Sequence, residues 1–274
     1  MSVATQERAS DSALANSHSV PRIEFQGVRK DFQLADRTLR AVEDLTFTVA
    51  RSEFVSIIGP SGCGKSTTLK MLSGLDKPTT GRVLIDGDEV DGTQSRVGFM
   101  LQKDLLLPWR TVLQNITLGL EIKGYSHVKR NGIAKALIKK VGLEGFADSY
   151  PKQLSGGMRQ RVALARTLAI DPEILLLDEP LSALDYQTKL MMEEELVRIL
   201  REENKTVLLI THDIAEAVSV SDRVLVCSAQ PGRIKATHEM SLSKTHSPEE
   251  ARNNPEFSDA FNKLWEDLKS DVEI

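Results

Sequence analysis

The stretch that decides the fold covers residues 59–66 and reads Gly-Pro-Ser-Gly-Cys-Gly-Lys-Ser. It fits the pattern G-x-x-x-x-G-K-[ST], follows the apolar run Phe54–Ile58 and precedes a helix-like run, 67–75. Glycines permit the backbone angles that turn successive N–H groups inward, and the helix behind them presents its positive dipole end. The sequence therefore predicts a phosphate-binding loop between a strand and a helix. A purely structural glycine turn is the alternative, which this setting disfavours.

Two side chains of this loop carry specific chemistry. Lys65 adds a mobile positive charge, and the hydroxyl of Ser66 is a hard oxygen ligand suited to a Mg²⁺ ion that bridges two phosphates. The residues predicted to hold the phosphates are Gly59, Pro60, Ser61, Gly62, Cys63, Gly64, Lys65, Ser66 and Thr67.

Acidic residues follow another apolar run. Residues 174–177 are Ile-Leu-Leu-Leu, and Asp178 and Glu179 come directly after them. Ligands of open α/β sheets bind at the carboxyl ends of the strands. We therefore expect Asp178 to ligate Mg²⁺ and Glu179 to act as general base toward the attacking water. Without other signals, an acidic pair after a strand is more often a solvated strand end than a catalytic site. The phosphate loop elsewhere in the sequence makes the catalytic interpretation the favoured one.

His212 follows the apolar run 207–210 at what would be another carboxyl edge. A single His in this position is usually a polar residue with ordinary hydrogen bonds. Close to a terminal phosphate, its ring could instead donate to a phosphate oxygen and hold the attacking water in line.

The composition excludes several classes of protein. The chain has 274 residues, with 35 Lys and Arg against 39 Asp and Glu, so its formal net charge is −4. This balance argues against wholesale binding to nucleic acid. Cys63 and Cys227 match no disulfide framework or zinc spacing and suit a reducing cytosol. Residues 1–20 lack the features of a signal peptide and predict a disordered leader. No apolar run reaches the roughly 18 residues that cross a bilayer, so any membrane role is peripheral.

The remaining pattern predicts an α/β fold with a mainly parallel sheet. Continuous apolar runs indicate strands covered on both faces, whereas the alternating runs 23–25 and 45–49 indicate appended antiparallel strands. The strand signal fades over about 103–156, where we predict an inserted helical subdomain. Residues 241–274 form a predicted helical tail. Its apolar residues fall on one side of an amphipathic helix, which either docks on its own domain or binds a partner: Phe257, Phe261, Leu264, Trp265 and Leu268.

Residues 154–160, Leu-Ser-Gly-Gly-Met-Arg-Gln, open a predicted helix about 20 residues before the acidic pair. With this signature the chain resembles the ATP-binding subunits of ABC transporters over residues 21–237. The motifs occur in the family's order: the phosphate loop, Gln102, the signature, the acidic pair, the run 182–185 (Ser-Ala-Leu-Asp) and His212. The resemblance implies a P-loop NTPase (RecA-like) core over 21–240 that binds ATP with Mg²⁺ and hydrolyses it.

The resemblance also implies further residue roles. Gln102 would contact Mg²⁺ and water, Asp185 would couple two subunits, and Phe32 would stack on adenine. Phe32 stands where a tyrosine is expected, although stacking needs only the ring face.

The signature predicts a second anion site at a helix N-terminus, formed by Ser155, Gly156 and Gly157. In the family, two subunits pair head to tail, and each ATP lies between one phosphate loop and the partner's signature. The chain has one copy of each, so a homodimer would have two complete sites.

Residues 103–116 and 230–234 resemble the nitrate, sulfonate and taurine importer ATPases, a group that includes importers of thiamine precursors. The run from Leu105 to Trp109 is either core packing or the wall of a groove for a membrane subunit. This resemblance implies transmembrane permease subunits and, indirectly, an extracytoplasmic solute-binding protein as partners, with no nucleic acid. It places the chain peripherally on the cytoplasmic face of the membrane. The alternatives are an importer ATPase for another solute, a repair or translation ATPase, or a regulator without turnover.

Overall fold

The computed structural model describes residues 20–269, so the predicted leader falls outside it apart from Val20. Within these described residues, ten strands form two sheets: β1 (Ile23–Gln33), β2 (Thr38–Val49), β3 (Phe54–Ile58), β4 (Thr80–Ile85), β5 (Asp88–Glu89), β6 (Val97–Met100), β7 (Ile174–Asp178), β8 (Thr206–Ile210), β9 (Arg223–Cys227) and β10 (Ile234–Glu239). One sheet is antiparallel with the order β2-β1-β4-β5, and the other has the order β10-β9-β3-β8-β7-β6.

The six-stranded sheet is parallel from β9 to β6, and only β10 pairs antiparallel to its neighbour. Every residue of β3 and β8 is buried, as continuous apolarity predicts for strands covered on both faces. The predicted α/β class with a mainly parallel sheet and an antiparallel β part is therefore confirmed.

Ten α-helices accompany the strands within the described part of the chain: α1 (Lys65–Leu72), α2 (Val112–Ile116), α3 (Leu118–Ile122), α4 (His127–Lys140), α5 (Gly156–Leu168), α6 (Tyr186–Glu202), α7 (Ile214–Val220), α8 (Leu242–Thr245), α9 (Pro248–Asn253) and α10 (Glu256–Lys269). Residues 103–156 contain helices and no strand, which agrees with the predicted helical segment. No helix in residues 20–269 has the length and apolarity needed to span a membrane.

The last helix docks on the chain's own core. In α10, Leu264 is completely buried, and Phe257, Phe261 and Leu268 pack around it. Trp265, which the sequence assigns to the same side, is half exposed. The docked interpretation of this helix therefore agrees with its packing.

Candidate active site

The order of the parallel strands brings the predicted residues to one edge of the sheet. The phosphate loop follows β3, and His212 follows β8. Asp178 ends β7 with Glu179 directly after it, and Gln102 follows β6. Because these four strands are consecutive neighbours and parallel, their carboxyl ends lie side by side. His212 is thus placed between the phosphate loop and Glu179, and Gln102 on the far side of Glu179.

The phosphate loop depends on glycine at two positions. Gly62 and Gly64 adopt φ angles of 84° and 92°, in the left-handed region. A Cβ on Gly64 would lie 2.4 Å from Val42 Cγ2 and 2.9 Å from the carbonyl oxygen of Ala41. No other residue therefore fits at Gly64 without moving β2. Lys65, directly after it, begins α1 and aligns the helix N-terminus with the loop.

Lys65 is folded back onto its own loop. Its Nζ donates to the carbonyl oxygens of Gly59 at 2.8 Å and Pro60 at 2.9 Å, and lies 3.7 Å from Cys63 Sγ. The side chain is 9% exposed. An ammonium group held against the phosphate loop supplies the positive charge that a phosphate chain requires.

Ser66 at the start of α1 and Asp178 at the end of β7, two of the residues predicted to hold Mg²⁺, lie within hydrogen-bond distance. Ser66 Oγ donates to Asp178 Oδ1 at 3.2 Å. Burial raises the pKa of Asp178, while the Ser66 hydrogen bond acts in the opposite direction. Two hard oxygen donors suit a Mg²⁺ ion that takes its other ligands from phosphates and water.

Glu179 has two partners that hold its carboxylate. Gln102 Nε2 donates to Glu179 Oε2 at 3.1 Å, and His212 Nδ1 lies 3.1 Å from the same oxygen. Glu179 adopts a φ of 46°, a strained angle for a residue with a side chain, and its N–H donates to Ile210 O at 2.9 Å. The three predicted catalytic side chains are therefore in direct contact.

A cleft of about 700 Å³ opens beside this triad and extends to Gly156 of the signature. Ser155 caps α5 by accepting from the N–H of Met158. A Cβ on Gly157 would lie 2.7 Å from Thr188 Cγ2, so glycine is needed there for close packing against α6. The side chains of Arg159 and Gln160, the last residues of the signature, donate to Asp104 Oδ2 at 3.0 Å and to Gln102 O at 3.5 Å.

Asp185 and Phe32 lie apart from this triad. Asp185 caps α6 by accepting from the N–H of Thr188 at 3.0 Å, and hydrogen bonds from Thr188 lower the pKa of Asp185. Phe32 lies on β1, partly buried, with Lys30 Nζ 5.0 Å from its ring centroid. Its predicted role in adenine stacking stays a prediction.

The run from Leu105 to Trp109 divides between core and surface. Leu106 is buried, whereas Leu105 and Trp109 are 54% and 71% exposed. The core-packing interpretation is therefore correct for Leu106 and wrong for Trp109. Asn115, whose role the sequence did not reveal, is completely buried and fixes this run by hydrogen bonds to the backbone of Leu107.

The chain is similar to known proteins over most of its length. Residues 42–182 match the family model described as ABC transporter. The chain belongs to the ABC transporter family. An ABC transporter ATP-binding protein of Methanocaldococcus jannaschii is 47% identical over 251 residues, which cover 92% of each chain. An aliphatic sulfonates import ATP-binding protein of Bacillus cereus is 43% identical over 220 residues, covering 80% of this chain and 86% of the relative.

Solved structures agree with this membership of the ABC family. A dimeric ATP-binding cassette in a post-hydrolysis state, bound to ADP and Pi, superposes with a TM-score of 0.71 at 35% identity. The match covers 80% of this chain and 98% of that one. The P-loop NTPase fold is thus confirmed, and this ABC protein is an ATPase.

Proposed function

We propose that this chain is the ATP-hydrolysing subunit of an ABC importer for a small solute, such as nitrate, a sulfonate, taurine or a related compound. The observation that carries the ATPase half of the proposal is the contact of Gln102 and His212 with one carboxylate oxygen of Glu179. The importer half is supported by 43% identity to an aliphatic sulfonates import ATP-binding protein.

The site residues divide the work of hydrolysis. The amides of loop 59–66 and Lys65 hold the phosphates, and Ser66, Asp178 and Gln102 are the candidate ligands of Mg²⁺. That ion would neutralise the charge that develops on the phosphate oxygens. Glu179 accepts the proton of the attacking water, and His212 keeps the carboxylate and the terminal phosphate in line.

A homodimer would complete two sites. Ser155, Gly156 and Gly157 form a helix N-terminus, and Gly156 lines the cleft beside Glu179. We propose that this N-terminus binds the phosphates of the ATP held by a second copy, with Asp185 at the subunit boundary. The solved cassette neighbour is itself dimeric.

Coupling to transport needs a surface for a permease. The exposed side chains of Leu105 and Trp109 supply an apolar surface. This surface follows Gln102 in the sequence, and Gln102 donates to the carboxylate of Glu179. We propose that a helix of the permease docks there at the cytoplasmic face of the membrane, and that a separate extracytoplasmic protein selects the solute.

The test is uptake of a radiolabelled sulfonate by cells that carry the permease and the binding protein. We expect Lys65→Ala to abolish uptake, while the binding protein keeps its affinity for the solute. Lys65 acts only on ATP phosphates, so energy input fails and recognition persists. Normal uptake by Lys65→Ala cells would show that this chain is not the motor. If the cells take up another class of solute and no sulfonate, the solute proposed here is wrong.

A further inference from the structure

The two cysteines of the chain converge at the base of the phosphate loop. Cys63 lies within the loop, and Cys227 is the last residue of β9, 164 positions later. The parallel register pairs Ile58 with Val226, so β9 ends beside the start of the loop. A Cβ on Gly59 would lie 2.9 Å from Cys227 Cβ and 3.1 Å from Cys63 Sγ. Glycine at this position therefore leaves the space in which both side chains meet.

The two thiols interact directly and are chemically unequal. Cys227 Sγ donates to the backbone oxygen of Cys63 at 3.7 Å, so the Cys227 sulfur packs against the Cys63 residue. The neighbouring Cys227 side chain, helped by the positive charge of Lys65, lowers the pKa of Cys63 to about 6. The same contact and burial raise the pKa of Cys227. These opposite directions favour the thiolate form of Cys63 and the thiol form of Cys227.

A structural role alone does not explain this pair. Free cysteines are commonly small buried apolar residues, and these are only 1% and 3% exposed. However, Lys65 Nζ lies 3.7 Å from Cys63 Sγ, and an ammonium group beside sulfur is a setting that activates the sulfur. Ser61 and Gly62, the two residues before Cys63, are exposed.

We propose that Cys63 and Cys227 are a peroxide-sensitive pair whose disulfide switches off ATP binding. The Cys63 thiolate attacks the O–O bond of hydrogen peroxide and becomes a sulfenic acid, with release of water after protonation. The Cys227 sulfur then attacks the sulfenic sulfur, loses its proton and expels a second water. The two thiols lose two electrons and the peroxide gains them; a dithiol then reduces the disulfide to the two thiols and is itself oxidised to a disulfide.

The bond would act on the geometry of the loop. Cys63 stands between Gly62 and Gly64, whose positive φ angles orient the loop N–H groups. Tying its sulfur to β9 moves those N–H groups and removes the thiolate that Lys65 contacts. Conversely, phosphates that attract Lys65 away from Cys63 reduce the activation of the sulfur. Bound ATP therefore slows oxidation. This inference rests on the proposed role of residues 59–66 as the phosphate loop.

The experiment compares the purified full chain with Cys227→Ala and Cys227→Ser before and after treatment with hydrogen peroxide. The readouts are affinity for a fluorescent ATP analogue, ATPase activity, and peptide mass spectrometry. In the untreated wild type we expect binding and turnover. After peroxide we expect a loss of affinity of about tenfold or more, restored by dithiothreitol. A peptide pair joining Cys63 to Cys227, lighter by two hydrogens, should appear in parallel, and more slowly when ATP is present.

Both variants should keep basal activity and lose the cross-linked peptide and the dithiothreitol-reversible inhibition. Two results would overturn the proposal: no cross-linked peptide in the inhibited wild type, or equal reversible inhibition of the Cys227 variants. Failure of the untreated, reduced wild type to bind ATP would instead contradict the proposed function, so the two failures are distinguishable.

Discussion

At the scale of single residues, Glu179 is held in a conformation that a glutamate adopts only under constraint. Its φ of 46° lies in the left-handed region, and its Oε2 lies 3.1 Å from both Gln102 Nε2 and His212 Nδ1. Strain of this kind costs on the order of 1–3 kcal/mol and persists where the surrounding structure enforces it. The strained backbone therefore supports a role that depends on where this carboxylate points.

The first prediction concerns Glu179→Gln. The amide keeps the shape of the side chain but cannot accept a proton from water, so hydrolysis should slow by about 10²- to 10⁴-fold. ATP binding should persist, and an ATP-bound dimer should accumulate. Steady-state phosphate release and size-exclusion chromatography with ATP measure the two effects. Turnover at the wild-type rate would contradict the assignment of the base.

At the scale of elements, three helices meet in a buried ionic network behind His212. Lys189 of α6 lies 2.7 Å from Asp213, 3.3 Å from Glu216 of α7 and 4.0 Å from Glu193. Arg252 of α9 contacts Glu193 at 2.5 Å. Three carboxylates share two cations, and burial together with the charge of Glu216 raises the pKa of Glu193 to about 7.

The raised pKa of Glu193 predicts how the free energy of unfolding depends on pH. A carboxyl whose pKa rises from 4.5 to about 7 on folding binds a proton in the native state that the unfolded chain has lost. Its contribution to the free energy of unfolding therefore falls as pH rises through that window, by about 3 kcal/mol in total. Glu193→Gln cannot titrate, so its stability relative to wild type should increase from pH 5 to pH 8.

Urea unfolding at several pH values measures this difference. Glu249→Gln, an exposed substitution on α9, is the matched control and should run parallel to wild type at every pH. A constant difference between Glu193→Gln and wild type across this range would show that Glu193 does not titrate there.

The segment from Leu105 to Trp109 supports a prediction about coupling. Trp109 is 71% exposed, so Trp109→Glu should leave the fold and the basal ATPase intact. A charge placed in an apolar docking surface loses its hydration without gaining a partner, so uptake should fall about tenfold or more. Val128→Glu, at an 83% exposed position on α4, is the matched control and should transport normally. Equal losses in both variants, or loss of ATPase in Trp109→Glu, would contradict a specific docking role.

At the scale of the whole molecule, the sequence alone predicts those features of the fold that depend on local sequence patterns. The parallel core could be recognised because β3, β7 and β8 are continuous apolar runs, and their order in the sheet explains why Gln102, Glu179 and His212 meet. Strand β4 escaped prediction because its first half, Thr80 to Arg82, is polar and exposed.

Features that depend on distant pairings could not be predicted from the sequence. Arg252 and Glu193 are 59 positions apart, and Cys63 and Cys227 are 164 apart. Each pair depends on how helices and strands pack, which no local periodicity records. The buried Asn115 is similar, because only the folded loop reveals the carbonyls that it binds.

The central claim is that two copies of the chain share two ATP sites, each made from one phosphate loop and the other copy's signature. Ser155→Arg fills the signature site with a bulky cation, and Lys65→Ala disables the phosphate loop, so each variant alone should be inactive. In a mixed dimer, one shared site carries both lesions and the other carries neither.

The decisive measurement is therefore the ATPase activity of purified Ser155→Arg/Lys65→Ala heterodimers, isolated with two different affinity tags. The account predicts that activity returns to roughly half that of the wild-type dimer, because one of two sites is intact. If heterodimers of confirmed composition remain as inactive as the parent variants, the account of two shared sites that work independently is contradicted: either the sites are not shared or they must fire together.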